Sequence, residues 1–346
     1  MSYSESTISR DVRKYCAEIG LDPLFVQGAG GNVSWKRGST LWIKASGTWL
    51  SNAKKEEIFI PVDLAGIKSE IAKRNFLVTP KVVSDIKLKP SIETMLHALM
   101  PHRVVIHLHA IEILAHLVRR DFEKYFDSAF EKTFCFSVVD YHKPGSDLAL
   151  AIEAALTKCP STDVIFLKNH GVVIGGDNIT EVHEKLCKVN ETLKTEPVIK
   201  KNDSTVVSKL PKCFSHEYIA VDDPCIHLLA LDHMLFSRLK RDWALYPDHV
   251  VFLGPRAHAY ESWSRFADEV LRSGLSPDLI FLAGKGVFVQ KSFTKAKQAQ
   301  LRCYFDVIVR QKADIALTAL TNNQIAELLN WDAEQYRMSL AAKLEV

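Results

Sequence analysis

Hydrophobic and polar positions along the chain follow two spacings, one typical of helices and the other of strands. Apolar residues recur at helical spacing in five segments: residues 6–19, 91–100, 146–157, 178–194 and 261–273. Short apolar or β-branched runs predict strands at residues 104–110, 163–167, 172–174 and 248–256. Helices and strands therefore alternate along the chain, which predicts an α/β fold.

A polar segment interrupts this alternation at residues 196–212. It carries two prolines and shows no sustained hydrophobic period, which is typical of a linker between domains. A length of 346 residues also suits two domains. We therefore predict a first domain over residues 1–195 and a second domain over residues 213–346.

The second domain repeats part of the first. Residues 163–174 (DVIFLKNHGVVI) and residues 278–289 (DLIFLAGKGVFV) are identical at six of twelve positions, and a helical pattern follows each copy. Such similarity predicts that the second domain is a smaller, diverged copy of part of the first. Lys285 stands where the first copy has His170, so we expect the second copy to have lost the role of this histidine.

Composition argues against several classes of partner. The chain is 47% hydrophobic and 25% charged, and its 44 basic and 41 acidic residues give a net charge of +3. Such an even balance of basic and acidic residues does not indicate nucleic acid or an anionic membrane as the main partner. No apolar run approaches the ~18 to 20 residues that span a bilayer, and the polar N-terminus does not resemble a signal peptide. We therefore expect a cytoplasmic protein that does not bind membranes.

Two histidines lie one residue apart in the predicted strand HRVVIHLHA. Side chains at alternate strand positions point to the same face with Cα atoms about 6.5 to 7 Å apart, so His107 and His109 can bind one metal ion. Taken alone, such a pair more often reflects packing. His170, at the end of a strand and before a glycine, offers a third imidazole, as catalytic zinc sites require. Glu93, at the start of a helix, offers a fourth ligand or a general base.

Six motifs in this order carry a family resemblance: QGAGGNVSW, IKASGT, KPSIET, VVIHLHA, VDYHKPGS and FLKNHGVV. Over roughly residues 5–195 the chain resembles the class II aldolase/adducin family, which includes zinc-dependent fuculose-phosphate and rhamnulose-phosphate aldolases and ribulose-phosphate 4-epimerase. It is most similar to the aldolase segments of proteins that fuse this domain to a short-chain dehydrogenase. The resemblance implies an α/β/α sandwich around a central, mostly antiparallel sheet.

The resemblance also implies functional residues. It places Zn²⁺, or another divalent ion such as Mn²⁺, on His107, His109 and His170, and it makes Glu93 the acid/base residue. A tyrosine of the aldolases that donates a proton in the site of a neighbouring subunit corresponds to Tyr141. We therefore expect a homo-oligomer, a dimer or tetramer, with its sites near subunit interfaces.

A phosphate site is the third implication. The resemblance assigns the substrate phosphate to a glycine-rich loop and nearby polar groups, namely Gly30, Gly31, Asn32, Lys44, Ser46, Gly47 and Ser91. Backbone N–H groups, serine hydroxyls and an ammonium group suit an anion. The chain departs from the phosphate-binding members at Ile92, where they carry a second serine.

Three functions remain open from the sequence. The presence of glutamate at position 93 favours an aldolase that cleaves or forms a carbon–carbon bond in a ketose phosphate through an enolate. A decarboxylase or epimerase of a sugar acid or sugar phosphate would use a similar enolate. A non-catalytic, adducin-like interaction module is the alternative of another class, and metal content distinguishes it from the two enzymes.

Overall fold

The structure, a computed structural model, describes residues 7–130, 133–199 and 207–343. Within them lie eleven strands: β1 Asn32–Arg37, β2 Thr40–Lys44, β3 Phe59–Asp63, β4 Val104–Leu108, β5 Phe136–Val139, β6 Val164–Leu167, β7 Gly171–Gly176, β8 Tyr218–Ala220, β9 Ala259–Tyr260, β10 Leu279–Leu282 and β11 Gly286–Gln290. The first seven α-helices are α1 Thr7–Ile19, α2 Leu64–Ala72, α3 Thr94–Leu99, α4 Ile111–Leu117, α5 Phe122–Phe130, α6 Ser146–Lys158 and α7 Ile179–Thr192. The next seven are α8 Leu228–Leu231, α9 His233–Arg241, α10 Pro247–Leu253, α11 Trp263–Ser273, α12 Lys295–Ile308, α13 Asn322–Leu329 and α14 Asp332–Lys343.

Seven strands form a central sheet in the order β3-β2-β1-β4-β7-β6-β5. All neighbours are antiparallel except β5 and β6, which are parallel. Helices α1, α4, α5 and α7 pack on one face of this sheet and α2, α3 and α6 on the other. The predicted α/β/α sandwich with a mostly antiparallel sheet is confirmed.

Strand β4 lies in the middle of this sheet and is buried on both faces. Val104, Ile106 and Leu108 pack into one hydrophobic layer, while Val105 packs into the other. A strand covered on both sides reads as an almost continuous apolar run. His107 is the polar exception within this run, and it shares the Val105 face because side chains alternate along a strand.

The second half has a smaller sheet in the order β8-β11-β10-β9. Its pairing, antiparallel for β8–β11 and β10–β11 and parallel for β9–β10, is that of β4-β7-β6-β5 in the first sheet. Register agrees as well, since Leu279 faces Val289 as Val164 faces Ile174. The smaller sheet thus has the form predicted for a diverged copy of part of the first fold. The exact domain boundaries stay a prediction, and residues 200–206 of the predicted linker lie outside the described residues.

The strand predicted at residues 248–256 is wrong, because this segment begins with helix α10. Pro247 occupies the start of the helix, where its missing N–H has no role. Asp248 lies in the first turn, where a carboxylate suits the helix dipole. Every residue of α10 is buried. The continuous apolar pattern therefore reflects a short helix enclosed on all sides, which periodicity alone does not distinguish from a buried strand.

The two halves are joined by buried polar contacts. Helix α4 of the first half packs into the hydrophobic core of the second. Arg310 pairs with Glu112 at 2.9 Å, with both side chains almost inaccessible. Asn169 donates hydrogen bonds from Nδ2 to the carbonyls of Leu245 at 2.8 Å and Thr318 at 2.6 Å. Among the described helices, none has both the length and the apolar character needed to cross a membrane.

Candidate metal centre

Three imidazoles meet at the carboxyl end of β4. His107 lies on β4, His109 follows the strand by one residue, and His170 precedes β7 in the turn from β6. Their potential ligand atoms all lie within 4.8 Å of one another, and all three residues are buried. The two strands are direct neighbours in the sheet, which explains why histidines 61 to 63 positions apart converge.

The ring nitrogens are oriented by their surroundings. His107 Nδ1 lies 3.1 Å from the carbonyl oxygen of Val172, to which it donates, so its Nε2 lone pair faces His109 Nε2 at 3.2 Å. Two nitrogens bound about 2.05 Å from one tetrahedral ion would be about 3.3 Å apart. Burial is the main cause that lowers the pKa values of His107 and His170, and neighbouring imidazoles lower the pKa of His170 further. Both rings are therefore neutral near pH 7, as metal ligands must be.

Glu93 faces the three imidazoles. Its Oε1 lies 3.5 Å from His107 Nε2 and 3.5 Å from His170 Nε2. Its Oε2 accepts a hydrogen bond of 2.6 Å from Asn32 Nδ2. Although Glu93 precedes α3, its side chain makes no helix-capping hydrogen bond. The carboxylate is thus turned toward the histidines rather than toward the helix end.

The donor set fits a divalent ion of the zinc or manganese type. Three neutral imidazoles and a carboxylate are suitable ligands for several such ions. Glu93 Oε1 and His170 Nδ1 are buried and make no hydrogen bond within the described residues. Since an unpaired buried carboxylate oxygen is costly, the position of Glu93 Oε1 near two imidazole nitrogens fits a site that holds a cation.

A narrow cavity adjoins this centre. Besides Glu93, His109 and His170, it is lined by six residues of the predicted phosphate site: Gly31, Asn32, Lys44, Ser46, Gly47 and Ser91. Gly30 does not line the cavity, but a Cβ there would lie 3.3 Å from Asp248 Oδ2 and 3.5 Å from His109 Nδ1. The structure therefore brings the predicted ligands and the predicted phosphate loop together, while their roles stay predictions.

Two glycines give the loop its shape. Gly31 has φ +69°, and a Cβ there would lie 3.1 Å from the carbonyl oxygen of His107. Gly47 has φ +77°, and its Cβ would lie 2.7 Å from Leu340 Cδ1. Both positions need a left-handed backbone and close approach, which favour glycine.

Lys44 holds the same loop from inside. Its side chain is 1% exposed, and Nζ donates to the carbonyls of Ala29 at 3.1 Å and Thr48 at 2.7 Å. Burial, followed by repulsion from Arg337, lowers the pKa of Lys44 to about 7. Lys44 thus joins the glycine loop to the 45–48 turn, besides placing a cation at the cavity.

The second half contributes residues that the motifs did not indicate. Asp248 Oδ2 lies 3.4 Å from His109 Nδ1, and Asp248 Oδ1 lies 3.0 Å from Arg337 Nη1. Burial alone would raise the pKa of Asp248, but Arg337 and His109 hold it well below its usual range. Asp248 is therefore an anion that orients His109, as carboxylates commonly do for ligating histidines. The one sequence signal was its place after a proline in a segment misassigned as a strand.

Tyr141 does not line the cavity. Its ring packs against the core of the second half, and its buried hydroxyl makes no hydrogen bond within the described residues. Burial, with the carboxylates of Glu327 and Glu334, raises the pKa of Tyr141. The phenol thus keeps its proton at neutral pH, and the predicted role of Tyr141 as a proton donor stays a prediction.

Within its described residues, the second copy has no equivalent of the metal centre. Ala220 faces Phe288 in the smaller sheet as His107 faces Val173 in the larger one. Lys285 occupies the hairpin turn that corresponds to His170. With an alanine and a lysine in place of two imidazoles, this part of the copy cannot hold the ion.

Comparison with known proteins gives a family match over the first half. Residues 10–196 match the family model described as the class II aldolase and adducin N-terminal domain. The L-fuculose phosphate aldolase of Methanocaldococcus jannaschii is 30% identical over 189 residues, covering 52% of this chain and 91% of that protein.

Two further proteins match the same half. An uncharacterized oxidoreductase of Bacillus subtilis, YuxG, is 26% identical over 188 residues; the match covers 49% of this chain and 27% of that protein, so the chain spans little more than a quarter of this relative. Among solved structures, the N-terminal class II aldolase domain of a conserved protein from Thermoplasma acidophilum is 24% identical with a TM-score of 0.46, covering 56% of this chain and 94% of that one.

Proposed function

The chain belongs to the class II aldolase and adducin family, and on this premise we propose that it is a metal-dependent aldolase of a ketose phosphate. The observation that carries the proposal is the convergence of three buried imidazoles with Glu93 beside a cavity lined by Lys44, Ser46 and Ser91. A non-catalytic interaction module has no need for this set. The proposed ion is Zn²⁺ or Mn²⁺, held by His107, His109 and His170.

A divalent ion held by His107, His109 and His170 would supply Lewis acidity where negative charge develops on the substrate. Glu93 moves the proton at the carbon next to the substrate's carbonyl: it protonates the enolate carbon after cleavage and removes the proton in the direction of synthesis. Its Oε2 is fixed by Asn32, so Oε1 is the oxygen available to exchange the proton.

Tyr141 is the proposed partner on the aldehyde side. In synthesis it would protonate the aldehyde oxygen as the new carbon–carbon bond forms, and in cleavage it would take the proton of the corresponding hydroxyl. Its raised pKa keeps the phenol protonated at neutral pH, which is the form that the direction of synthesis requires. Because Tyr141 does not line the cavity of its own chain, we include in the proposal the homo-oligomer expected from the sequence, and light scattering of the purified protein tests it. The cytoplasmic location expected from the sequence is also part of the proposal.

The direct test is incubation of the metal-loaded protein with a panel of ketose 1-phosphates. Release of a triose phosphate and an aldehyde that depends on added metal supports an aldolase. Glu93→Gln is the matched inactive variant, because it preserves the shape of the side chain but cannot take up a proton. Equal product release by wild type and Glu93→Gln would contradict the proposal.

A decarboxylase is the second candidate, and Ile92 is the observation that favours it. Ile92 lines the cavity at the position where the phosphate-binding members that the chain resembles carry a serine, so one hydroxyl donor is absent. A 3-oxo sugar acid would form the same kind of enolate by loss of carbon dioxide. Carbon dioxide release from a panel of such acids, without triose phosphate release from ketose phosphates, would select this candidate.

A further inference from the structure

Helix α14, at the far end of the described chain, lies across the phosphate side of the cavity. Leu340 contacts the Gly47 turn so closely that a Cβ on the glycine would overlap it. Lys89 Nζ lies 4.5 Å from the centre of the Tyr336 ring, in a cation–π contact. Just before α14, the Trp331 ring packs over the turn at Gly145. Three side chains at successive points along this segment thus cover the first half next to the site.

Arg337 is the residue of α14 that enters the cavity. Its side chain is 13% exposed, and Nη1 lies 3.0 Å from Asp248 Oδ1 and 2.8 Å from Glu334 Oε2. The guanidinium carbon lies 5.8 Å from the centre of the Phe252 ring. Within the described residues, the ion pairs with Asp248 and Glu334 both use Nη1. The Nε and Nη2 edge of the guanidinium makes no hydrogen bond to these residues and can therefore bind a ligand.

The cavity is too narrow for a sugar phosphate in this arrangement. Its volume is about 20 Å³, which is enough for little more than one water molecule. A phosphate group with its sugar is many times larger, so an element of the wall must move before such a substrate enters. Two wall elements, α10 and α14, come from outside the family domain, which ends at residue 196. Every residue of α10 is buried, whereas α14 carries exposed residues, so α14 is the element that can move.

The charges of the cavity walls also favour binding of an anion once a metal ion is bound. The lining contains the cations Lys44 and Arg337 and the carboxylates Glu93 and Asp248. A divalent ion would leave these walls with a net positive charge. Arg337 keeps its own charge throughout, because arginine does not lose its proton in proteins.

We propose that Arg337 binds the phosphate group of the substrate and that α14 is the lid that brings it there. A guanidinium presents paired donors to phosphate oxygens in a way that a lysine does not. It would supply donors at the site where Ile92 replaces a serine hydroxyl. The assignment of a phosphate rests on the proposed function, whereas the binding of an anion by Arg337 does not require turnover.

Titration of the metal-loaded protein with inorganic phosphate in a calorimeter tests this assignment. We expect Arg337→Gln to weaken phosphate binding at least tenfold and Arg337→Lys to weaken it less. Gln335→Ala is the matched control, since Gln335 is exposed on the same helix; its affinity should equal that of the wild type. Phosphate affinity of Arg337→Gln within twofold of the wild type would overturn the proposal.

A second variant keeps the test decisive if Arg337→Gln does not fold. Glu334→Gln removes a carboxylate that competes with the ligand for Arg337, so phosphate binding should tighten about threefold; weaker binding would overturn the proposal.

Kinetics separate a binding role from a structural one. Arg337→Gln should raise KM for a ketose phosphate with little change in kcat, and it should not change KM for the unphosphorylated sugar. An equal loss on both sugars would overturn the proposal. If no ketose phosphate is cleaved, the aldolase proposal fails while the phosphate titration still decides the role of Arg337.

Discussion

Replacing Asp248 by asparagine tests whether the second half orients the metal centre. Asparagine keeps the shape of the side chain but removes the charge that faces His109 Nδ1 at 3.4 Å and Arg337 Nη1 at 3.0 Å. Loss of a carboxylate that orients a ligating histidine typically lowers metal affinity about 10- to 100-fold, or about 1.4 to 2.8 kcal/mol. We expect a loss in this range for Zn²⁺.

Competition with a chromogenic chelator at pH 7.5 measures the affinity. Asp242→Asn is the matched control, because Asp242 is 4% exposed compared with 2% for Asp248 and also lies in the second half. It pairs with Arg238 at 2.5 Å and contacts none of the three imidazoles. Both variants should lose stability, but only Asp248→Asn should lose metal affinity. Unchanged Zn²⁺ affinity in a folded Asp248→Asn protein, or an equal loss in both variants, would refute the reasoning.

Three further outcomes are expected. Glu93→Gln should retain the metal but lose about 10²- to 10⁴-fold in kcat, the usual contribution of an acid/base residue; dialysis and steady-state assays measure the two. Asn169→Ala should lower the free energy of unfolding by about 2 to 4 kcal/mol in urea, since it leaves the carbonyls of Leu245 and Thr318 without their hydrogen-bond donor and puts alanine, which tolerates a left-handed backbone less well than asparagine, at φ +53°. Asn169→Gly should recover about 1 kcal/mol of this loss. Because Lys44 loses its proton above about pH 7, sulfate should bind the metal-loaded wild type about tenfold more weakly at pH 8.5 than at pH 6, and Lys44→Met should show no such change.

The convergence of the three histidines was predictable because local rules determine their geometry. His107 and His109 point the same way through the two-residue period of a strand, and His170 comes from a hairpin whose second strand pairs with β4. The repeat also predicted the form of the second sheet from its hairpin alone.

The residues of the second half followed no local rule. Asp248 and Arg337 are 89 positions apart and lie on different helices. Asp248 contacts His109, and Arg337 contacts Asp248, only because the two halves pack together. The apolar pattern around Asp248 wrongly predicted a strand, because a helix buried on all sides has no polar face and therefore shows no helical period. Arg256, another cation of the second half, pairs with Glu269 at 3.6 Å and does not line the cavity.

The number of divalent ions bound per chain tests the central claim most directly. Equilibrium dialysis against Zn²⁺ should give one tightly bound ion per wild-type chain and none at the same concentration for His170→Ala. His183→Ala, which removes a histidine on α7 away from the site, is the control and should bind as the wild type does. Full occupancy in His170→Ala, or no bound ion in the wild type, would contradict the assignment of His107, His109 and His170 as a metal centre.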